Sequence, residues 1–130
     1  MNINEYLAAF EAQIQSAAIT ASYTVHLDRK TEDLAFLAGR IDFRDGSILD
    51  FKEFVAATEH GLDKLKYGYN YRTETELLFR YDNAPDPRAR DLASYPHHKH
   101  QNNGEIISSR AIDLSEVLDE IEDMILRQRH

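Results

Sequence analysis

The chain has 130 residues, the length of one domain, and its 42% hydrophobic and 29% charged content is ordinary for a globular protein. The lack of cysteine excludes a disulfide framework, a thiol nucleophile and a cysteine-ligated zinc site. The net charge of −8 argues against binding nucleic acid by bulk electrostatics alone. Since there is no long apolar run and no secretory signal, we expect a single cytoplasmic domain over 1–130 without membrane contact.

The N-terminal segment has the pattern of an amphipathic helix. Asn2 or Asn4 can cap a helix over 3–17. Apolar residues recur there at spacings of four, three and four, namely Ile3, Leu7, Phe10 and Ile14.

Strand-like runs follow, beginning with alternating apolar residues over 21–28 and 34–44. The sequence Asp45-Gly46-Ser47 predicts a hairpin into a strand over 48–55. A three-residue loop with Gly46 in the left-handed conformation places Phe43 opposite Leu49, so that apolar residues share one face.

A second hairpin is predicted from 64–72 and 75–82, with the loop Thr73-Glu74-Thr75. In this register Tyr71 faces Leu77 and Tyr69 faces Phe79. The segment 56–62 between the two hairpins is either a short helix or a loop.

The last third of the chain changes from irregular to helical. Residues 83–104 contain three prolines and no periodicity, which predicts a long irregular loop. Residues 106–108 can add a short strand, and 113–128 predict a helix with an acidic exposed side. We therefore expect an α+β fold, in which an antiparallel sheet of about four to six strands, a meander of hairpins, lies between an N-terminal and a C-terminal helix.

Residue types that carry proton-transfer, metal and phosphate chemistry gather around the end of the predicted strand over 75–82. They are Arg80, Asp82, His97, His98 and His100. If the protein is catalytic, we expect its site here.

Three interpretations of these residues remain open. In a metal site, His98 and His100 lie on one side of an extended segment, and Asp82 or Asp91 completes the ligand set. In an acid–base site, one histidine accepts a proton, another donates it, and Arg80 offsets negative charge. In the third, the histidines belong to a surface loop without a chemical role.

Neighbouring features also have structural interpretations. Asp82-Asn83-Ala84-Pro85 is typical of an Asx turn. Glu53 falls on the apolar face of its strand, and the simplest interpretation is a strand-end carboxylate that reaches solvent. Four tyrosines are either half-buried sheet residues or a surface for stacking bases, namely Tyr67, Tyr69, Tyr71 and Tyr81.

Several motifs follow one another in a fixed order, and two are specific: Phe79-Arg80-Tyr81-Asp82-Asn83-Ala84-Pro85 and Pro96-His97-His98-Lys99-His100. With Asp45-Gly46-Ser47 and Tyr67-x-Tyr69-x-Tyr71, they resemble the TumE family over roughly residues 20–125. TumE proteins are small bacterial and archaeal proteins regarded as toxins of type II toxin–antitoxin systems. One position departs from the family pattern, because Asp86-Pro87 stands where the family has His-His after Asn-Ala-Pro.

The resemblance implies a toxin whose partner is a cognate helix-turn-helix antitoxin. The acidic C-terminal helix is a candidate docking surface for such a partner. The residue types further suggest a metal-independent endoribonuclease that acts on RNA without a cofactor. Two alternatives are a non-catalytic His/Asp module for a metal or small ligand and a pure protein-interaction domain, and a homodimer is compatible with each.

In the ribonuclease hypothesis, His98 and His100 act as general base and acid in either order, and Arg80 holds the scissile phosphate. Asp82 orients a histidine. Two further residues are catalytic candidates, His97 and Glu53. Four residues are candidates for substrate binding, namely Tyr69, Tyr71, Asn83 and Lys99.

Overall fold

The computed structural model describes residues 1–128, which form an α+β fold with two helices and one antiparallel sheet, as predicted. The strands pair in sequence order, so the sheet is a continuous meander. The elements are α1 (Ile3–Ser16), β1 (Thr20–Arg29), β2 (Leu34–Phe43), β3 (Ile48–Thr58), β4 (Gly61–Arg72), β5 (Leu77–Asp82), a 3₁₀ turn (Pro87–Ala89), β6 (His98–Gln101), β7 (Ile106–Ser108) and α2 (Leu114–Gln128).

The sheet has seven strands, so the prediction of four to six was too low. The segment 56–62 is neither a helix nor a loop: β3 and β4 continue through it and turn tightly before Gly61, whose φ of 131° suits glycine. Strand β6 lies inside the predicted irregular loop 83–104. Its polar sequence has no local strand pattern, because its partners are supplied by β5 and β7.

The N-terminal helix begins at a capping box. The Asn2 side chain accepts a hydrogen bond from the Glu5 backbone N–H, and the Glu5 carboxylate accepts one from the Asn2 N–H. Of the two predicted caps, Asn2 is therefore the one used. Such caps stabilise a helix by about 1 kcal/mol.

The two faces of the sheet have different surroundings, because successive side chains of a strand point to opposite sides. One face, which we call the covered face, packs against α1 and α2. Its central side chains include Leu37, Leu49, Tyr69 and Phe79. The open face carries the alternate residues, among them Lys52, Phe54, Arg80, Asp82 and His98.

Both predicted hairpins form, but each register is two residues from the prediction. Ile41, not Phe43, lies opposite Leu49, because the three-residue loop ends at Gly46, whose φ is 90°. In the second hairpin Tyr71 lies opposite Phe79 and Tyr69 opposite Tyr81, with an irregularity before Arg72. A shift of two residues keeps every side chain on its predicted face, so the alternation alone cannot distinguish the registers.

Candidate active site

A cluster of four polar side chains lies on the open face where β5 meets β6. Asp82 lies opposite His98 in the ladder, and Arg80 lies opposite His100. Asp82 Oδ1 is 3.1 Å from His98 Nε2, and Asp82 Oδ2 is 3.5 Å from His100 Nε2. The two histidine Nε2 atoms are 3.0 Å apart. The structure thus brings together four of the predicted catalytic residues.

Backbone groups hold this cluster in place. His98 Nδ1 is 2.7 Å from the Pro96 carbonyl oxygen, and since that oxygen can only accept, Nδ1 carries the proton. Asp82 Oδ1 accepts from the Ala84 N–H at 2.9 Å, so the predicted Asx turn is present. Arg80 Nε donates to Asp82 Oδ2 at 2.8 Å. The Asp82 carboxylate thus forms the Asx turn and also contacts the other members of the cluster.

The fixed tautomer of His98 determines what the cluster can do. With Nδ1 protonated, Nε2 faces a carboxylate and a second imidazole, an arrangement that needs a shared proton or a cation between them. The three ligand atoms of Asp82, His98 and His100 lie within 4.8 Å of one another, and this donor set suits zinc, manganese or iron. Asp91, the other predicted ligand, is not in this group.

The two histidines differ in access. His98 is fully buried, whereas the His100 side chain is 18% exposed and can reach a bound molecule. Burial lowers the pKa of His100, while the Asp82 carboxylate raises it and the charges of His98, Arg88 and Arg80 lower it further. His100 is therefore the more accessible of the two imidazoles.

A pocket of about 420 Å³ extends from Arg80 and Asp82 across the open face, a size in the range of small-ligand sites. Lys52 and Lys66 line it, and both are exposed. Between two of its lining residues lies Gly68, which pairs with Lys52 on one side and Asp82 on the other. A Cβ on Gly68 would lie 3.1 Å from Arg80 Nη2 and 3.2 Å from Lys52 Cε. The missing side chain lets the two cations approach each other.

Sequence reasoning missed the pocket residues Lys52 and Lys66 and the role of Gly68 between Lys52 and Asp82. A signal existed, because Lys52 is on the same face as Arg80 in the alternation of the strands. Whether these side chains lie next to Arg80 depends on how the strands are paired. The predicted pairing of β4 with β5 differed from the observed one by two residues.

Other predicted site residues lie on the covered face, on the opposite side of the sheet. Glu53 is 1% exposed and accepts hydrogen bonds from the hydroxyls of Tyr6 and Tyr69. The interpretation of Glu53 as a carboxylate that reaches solvent is therefore wrong. The rings of Tyr69 and Tyr71 are 0% and 1% exposed, and the Tyr71 hydroxyl donates to Ser47. The structure thus separates these three residues from the open-face cluster.

Glu53 belongs to a buried network that joins the helices to the sheet. Lys64 Nζ donates to the Tyr69 hydroxyl at 2.6 Å and to the Ile112 carbonyl at 2.5 Å, and it lies 4.0 Å from Glu53 Oε2. Burial raises the pKa of Tyr6 and of Tyr69, and Glu53 raises both further. Burial also lowers the pKa of Lys64. These contacts connect α1, β3, β4 and the segment just before α2.

The remaining candidates have structural partners. Asn83 accepts from the Tyr67 N–H at 3.0 Å and donates to the Leu65 carbonyl at 3.1 Å, which fastens the end of β5 to β4. His97 Nδ1 lies 2.8 Å from the Tyr67 hydroxyl. Lys99 Nζ lies 2.8 Å from a carboxylate oxygen of Glu120 on α2. None of these three side chains forms a hydrogen bond with the open-face cluster in the described part of the chain, and of the three only Asn83 lines the pocket with Arg80 and Asp82.

The molecule is thus an α+β protein with a histidine–carboxylate cluster at the end of a cationic pocket on the open face of its sheet. The family model described as Toxin TumE matches residues 9–126, so the chain belongs to this family. No curated protein and no solved structure matches the chain. Among the described residues, neither helix has the length and apolar composition needed to span a membrane.

Proposed function

We propose that this member of the TumE toxin family cleaves RNA at the open face of its sheet, without a metal ion. The observation that supports the proposal is the accessible imidazole of His100, held against Asp82 and His98 beside the cations of the pocket. A base beside fixed positive charge is what the cleavage of a phosphodiester requires.

In the proposed reaction, His100 accepts the proton of a ribose 2′-hydroxyl. The 2′-oxygen attacks the adjacent phosphorus, the P–O5′ bond breaks, and its electron pair leaves with the 5′-oxygen, which takes a proton from water in the open pocket. Arg80 and Lys52 offset the negative charge that develops on the phosphoryl oxygens. Asp82 stabilises the positive charge on His100, and buried His98 holds the ring in place, both as positioning residues. The products are a 2′,3′-cyclic phosphate and a 5′-hydroxyl.

The test is induced expression of the wild type beside His100→Gln and His60→Ala, with growth and total-RNA integrity followed together. His60 is exposed in the turn between β3 and β4, and serves as the matched control. The proposal predicts growth arrest with RNA cleavage for the wild type and His60→Ala, and neither for His100→Gln. Arrest with intact RNA would contradict it.

The convergence of Nε2 atoms and carboxylate oxygens favours one second candidate, a centre for zinc or manganese formed by Asp82, His98 and His100. Metal analysis of protein purified without a histidine tag separates the candidates. One equivalent of metal, with cleavage lost in EDTA and restored by that metal, would favour the second. Full cleavage in EDTA would favour the first.

We also propose a type II arrangement, in which a basic helix-turn-helix antitoxin binds the acidic side of α2. Three acidic residues of α2 are exposed there, namely Asp119, Glu122 and Asp123. Opposite charge steers such partners together. Co-expression with the neighbouring gene product should yield a complex that weakens with salt and is lost when the three acids are replaced by lysine. A complex insensitive to both changes would contradict this surface.

A further inference from the structure

An aromatic pair forms the end of the pocket that is remote from the histidines. Phe36 of β2 lies opposite Phe54 of β3 on the open face. Their rings are stacked, with centroids 4.4 Å apart and an interplanar angle of 27°. Phe36 is 42% exposed, and neighbouring Leu65 is 47% exposed. Large apolar side chains are thus presented to solvent at a pocket wall, an uncommon place for them without a ligand.

Cations surround this aromatic pair. Lys30 Nζ lies 5.7 Å from the centre of the Phe36 ring, and Lys66 lies opposite Phe54 in the ladder. Lys52 separates the pair from Arg80 along the pocket. Neither Lys52 nor Lys66 forms an ion pair with any residue in 1–128. Lys30 itself pairs with Asp28 at 2.7 Å. In a chain with a net charge of −8, the two lysines without an ion pair, Lys52 and Lys66, match an anionic ligand that has an apolar part.

The spacing suits one nucleotide of RNA. Phe54 lies opposite Lys66, and a Cβ on Gly68, two residues further along β4, would lie 3.1 Å from Arg80 Nη2. One strand spacing and two residues along the strand separate Phe54 from Gly68, a backbone distance of about 8 Å. That is close to the reach from a nucleobase to a neighbouring phosphate in an extended strand. Single-stranded nucleic acid is commonly bound by aromatic rings that stack bases along a positively charged groove.

We propose that Phe36 and Phe54 form a base-stacking subsite for single-stranded RNA, which places a neighbouring phosphate at Arg80 and His100. The subsite rests on the proposed cleavage of RNA and defines its substrate class. Paired RNA does not fit, because a base must be unstacked from its neighbours to lie on the rings. Stacking is tolerant of base identity, so the subsite selects single strands rather than a sequence.

The test measures binding rather than cleavage, by fluorescence anisotropy with the whole protein. The probe is a short single-stranded oligonucleotide with 2′-fluoro sugars, which lack the hydroxyl that attacks phosphorus. A second probe of equal length lacks its bases and keeps its phosphates. The proteins are the wild type, Phe54→Ala, Phe36→Ala and the control Leu77→Ala, which removes a similarly exposed apolar side chain outside the pocket.

We expect Phe54→Ala to weaken binding of the base-containing probe about tenfold and to leave binding of the abasic probe unchanged. Phe36→Ala should act in the same direction, and Leu77→Ala should not. The subsite would be overturned if Phe54→Ala weakened binding of the two probes equally, or if neither phenylalanine variant weakened binding. In the latter case the aromatic pair would be left as a surface for a protein partner.

The outcomes separate the subsite from the cleavage proposal. Base-dependent binding by a wild type that cleaves no RNA would support the subsite and reject the nuclease. Cleavage by a wild type whose phenylalanine variants bind and cleave equally well would support the nuclease and reject the subsite. Absence of binding to either probe by the folded wild type would overturn the subsite whatever the cleavage result.

Discussion

Asp82 and His98 face each other across the β5–β6 ladder, with a carboxylate oxygen 3.1 Å from Nε2. The opposite nitrogen of His98 donates to the Pro96 carbonyl, so the ring cannot turn to offer its other N–H. Nε2 of His98 is also 3.0 Å from Nε2 of His100, so His98 lies between the Pro96 carbonyl and the accessible imidazole and fixes the position of both rings. A turn at the end of a strand thus controls the group that we propose to react.

The first prediction concerns Asp82→Asn. The amide oxygen can still accept from Ala84, but the charge that Arg80 and His98 contact is lost. We expect RNA cleavage to fall roughly a hundredfold, within the range of about 10²–10⁴ that a positioned acid–base group contributes. The free energy of unfolding should fall by only about 1–2 kcal/mol. Single-turnover cleavage and urea unfolding measure the two effects.

Asp50→Asn is the matched control for this variant. Asp50 also lies on the open face and pairs with Arg72 at 2.6 Å, but its side chain is 41% exposed. An exposed ion pair of this kind contributes less than about 1 kcal/mol. Cleavage should be unchanged in the control. An equal loss in both variants would mean that Asp82 acts through the general charge of the face.

Gly68→Ala should lower cleavage with little change in stability. The new Cβ would lie about as close to Arg80 Nη2 and Lys52 Cε as contacts allow, so both flexible side chains must move. We expect about a tenfold loss, equivalent to about 1.4 kcal/mol. Unaltered cleavage would show that the positions of Arg80 and Lys52 beside Gly68 do not matter for the reaction.

Gly39→Ala is the contrasting substitution for that experiment. A Cβ there would lie 2.0 Å from the Thr24 carbonyl oxygen and 2.8 Å from the Phe51 ring, and backbone cannot yield as a side chain can. Thermal unfolding should therefore show a large loss of stability for Gly39→Ala and almost none for Gly68→Ala.

Glu53→Gln tests whether the buried carboxylate is a structural group or a proton acceptor. The change removes the charge that Tyr6, Tyr69 and Lys64 contact. Hydrogen bonds to a charged group contribute about 1.5–3 kcal/mol, so we expect the free energy of unfolding to fall by about that amount. Cleavage per folded molecule should not change. A loss of cleavage in fully folded protein would restore Glu53 as a catalytic candidate.

Alkaline pH should unfold the protein through its tyrosines. Burial raises the pKa of Tyr67 to about 12, and it also raises the pKa of Tyr6, Tyr69, Tyr71 and Tyr81. The folded state then holds protons that the unfolded chain releases near pH 10, so stability present below pH 10 is lost as the pH rises above it.

Tyrosinate absorbance measures this effect directly. At pH 11 the folded protein should absorb less at 295 nm than the same protein in denaturant, and the difference should vanish when it unfolds. Equal absorbance in a folded sample would contradict the burial of these phenols. Tyr6→Phe should shift the alkaline transition upward if its hydroxyl contributes.

The sequence predicted the helices, the class of fold and the face of most strand residues, because each depends on local periodicity. The capped start at Asn2 and the left-handed Gly46 could also be read locally. Strand β6 could not, since the sequence His98–Gln101 becomes a strand only beside β5 and β7. Hydrogen bonds to these two neighbouring strands, rather than a local sequence pattern, make this segment a strand.

The site was predicted in part for the same reason. His98, His100 and Asp82 could be grouped because residue types and an Asx turn indicated them. Their separation from Glu53 agrees with the alternation, which puts Glu53 on the apolar face, but the burial of Glu53 could not be foreseen because it depends on which face the helices cover. The cations at Lys52 and Lys66 likewise needed the true register of β3, β4 and β5.

The central claim is that His100 cleaves RNA without a metal. The most direct measurement is incubation of the purified wild type and His100→Gln with a single-stranded RNA in EDTA, with the product ends mapped. The account predicts cleavage by the wild type to 2′,3′-cyclic phosphate and 5′-hydroxyl ends, and a loss of roughly a hundredfold or more in the variant. Intact RNA with the folded wild type, or equal cleavage by both proteins, would contradict it.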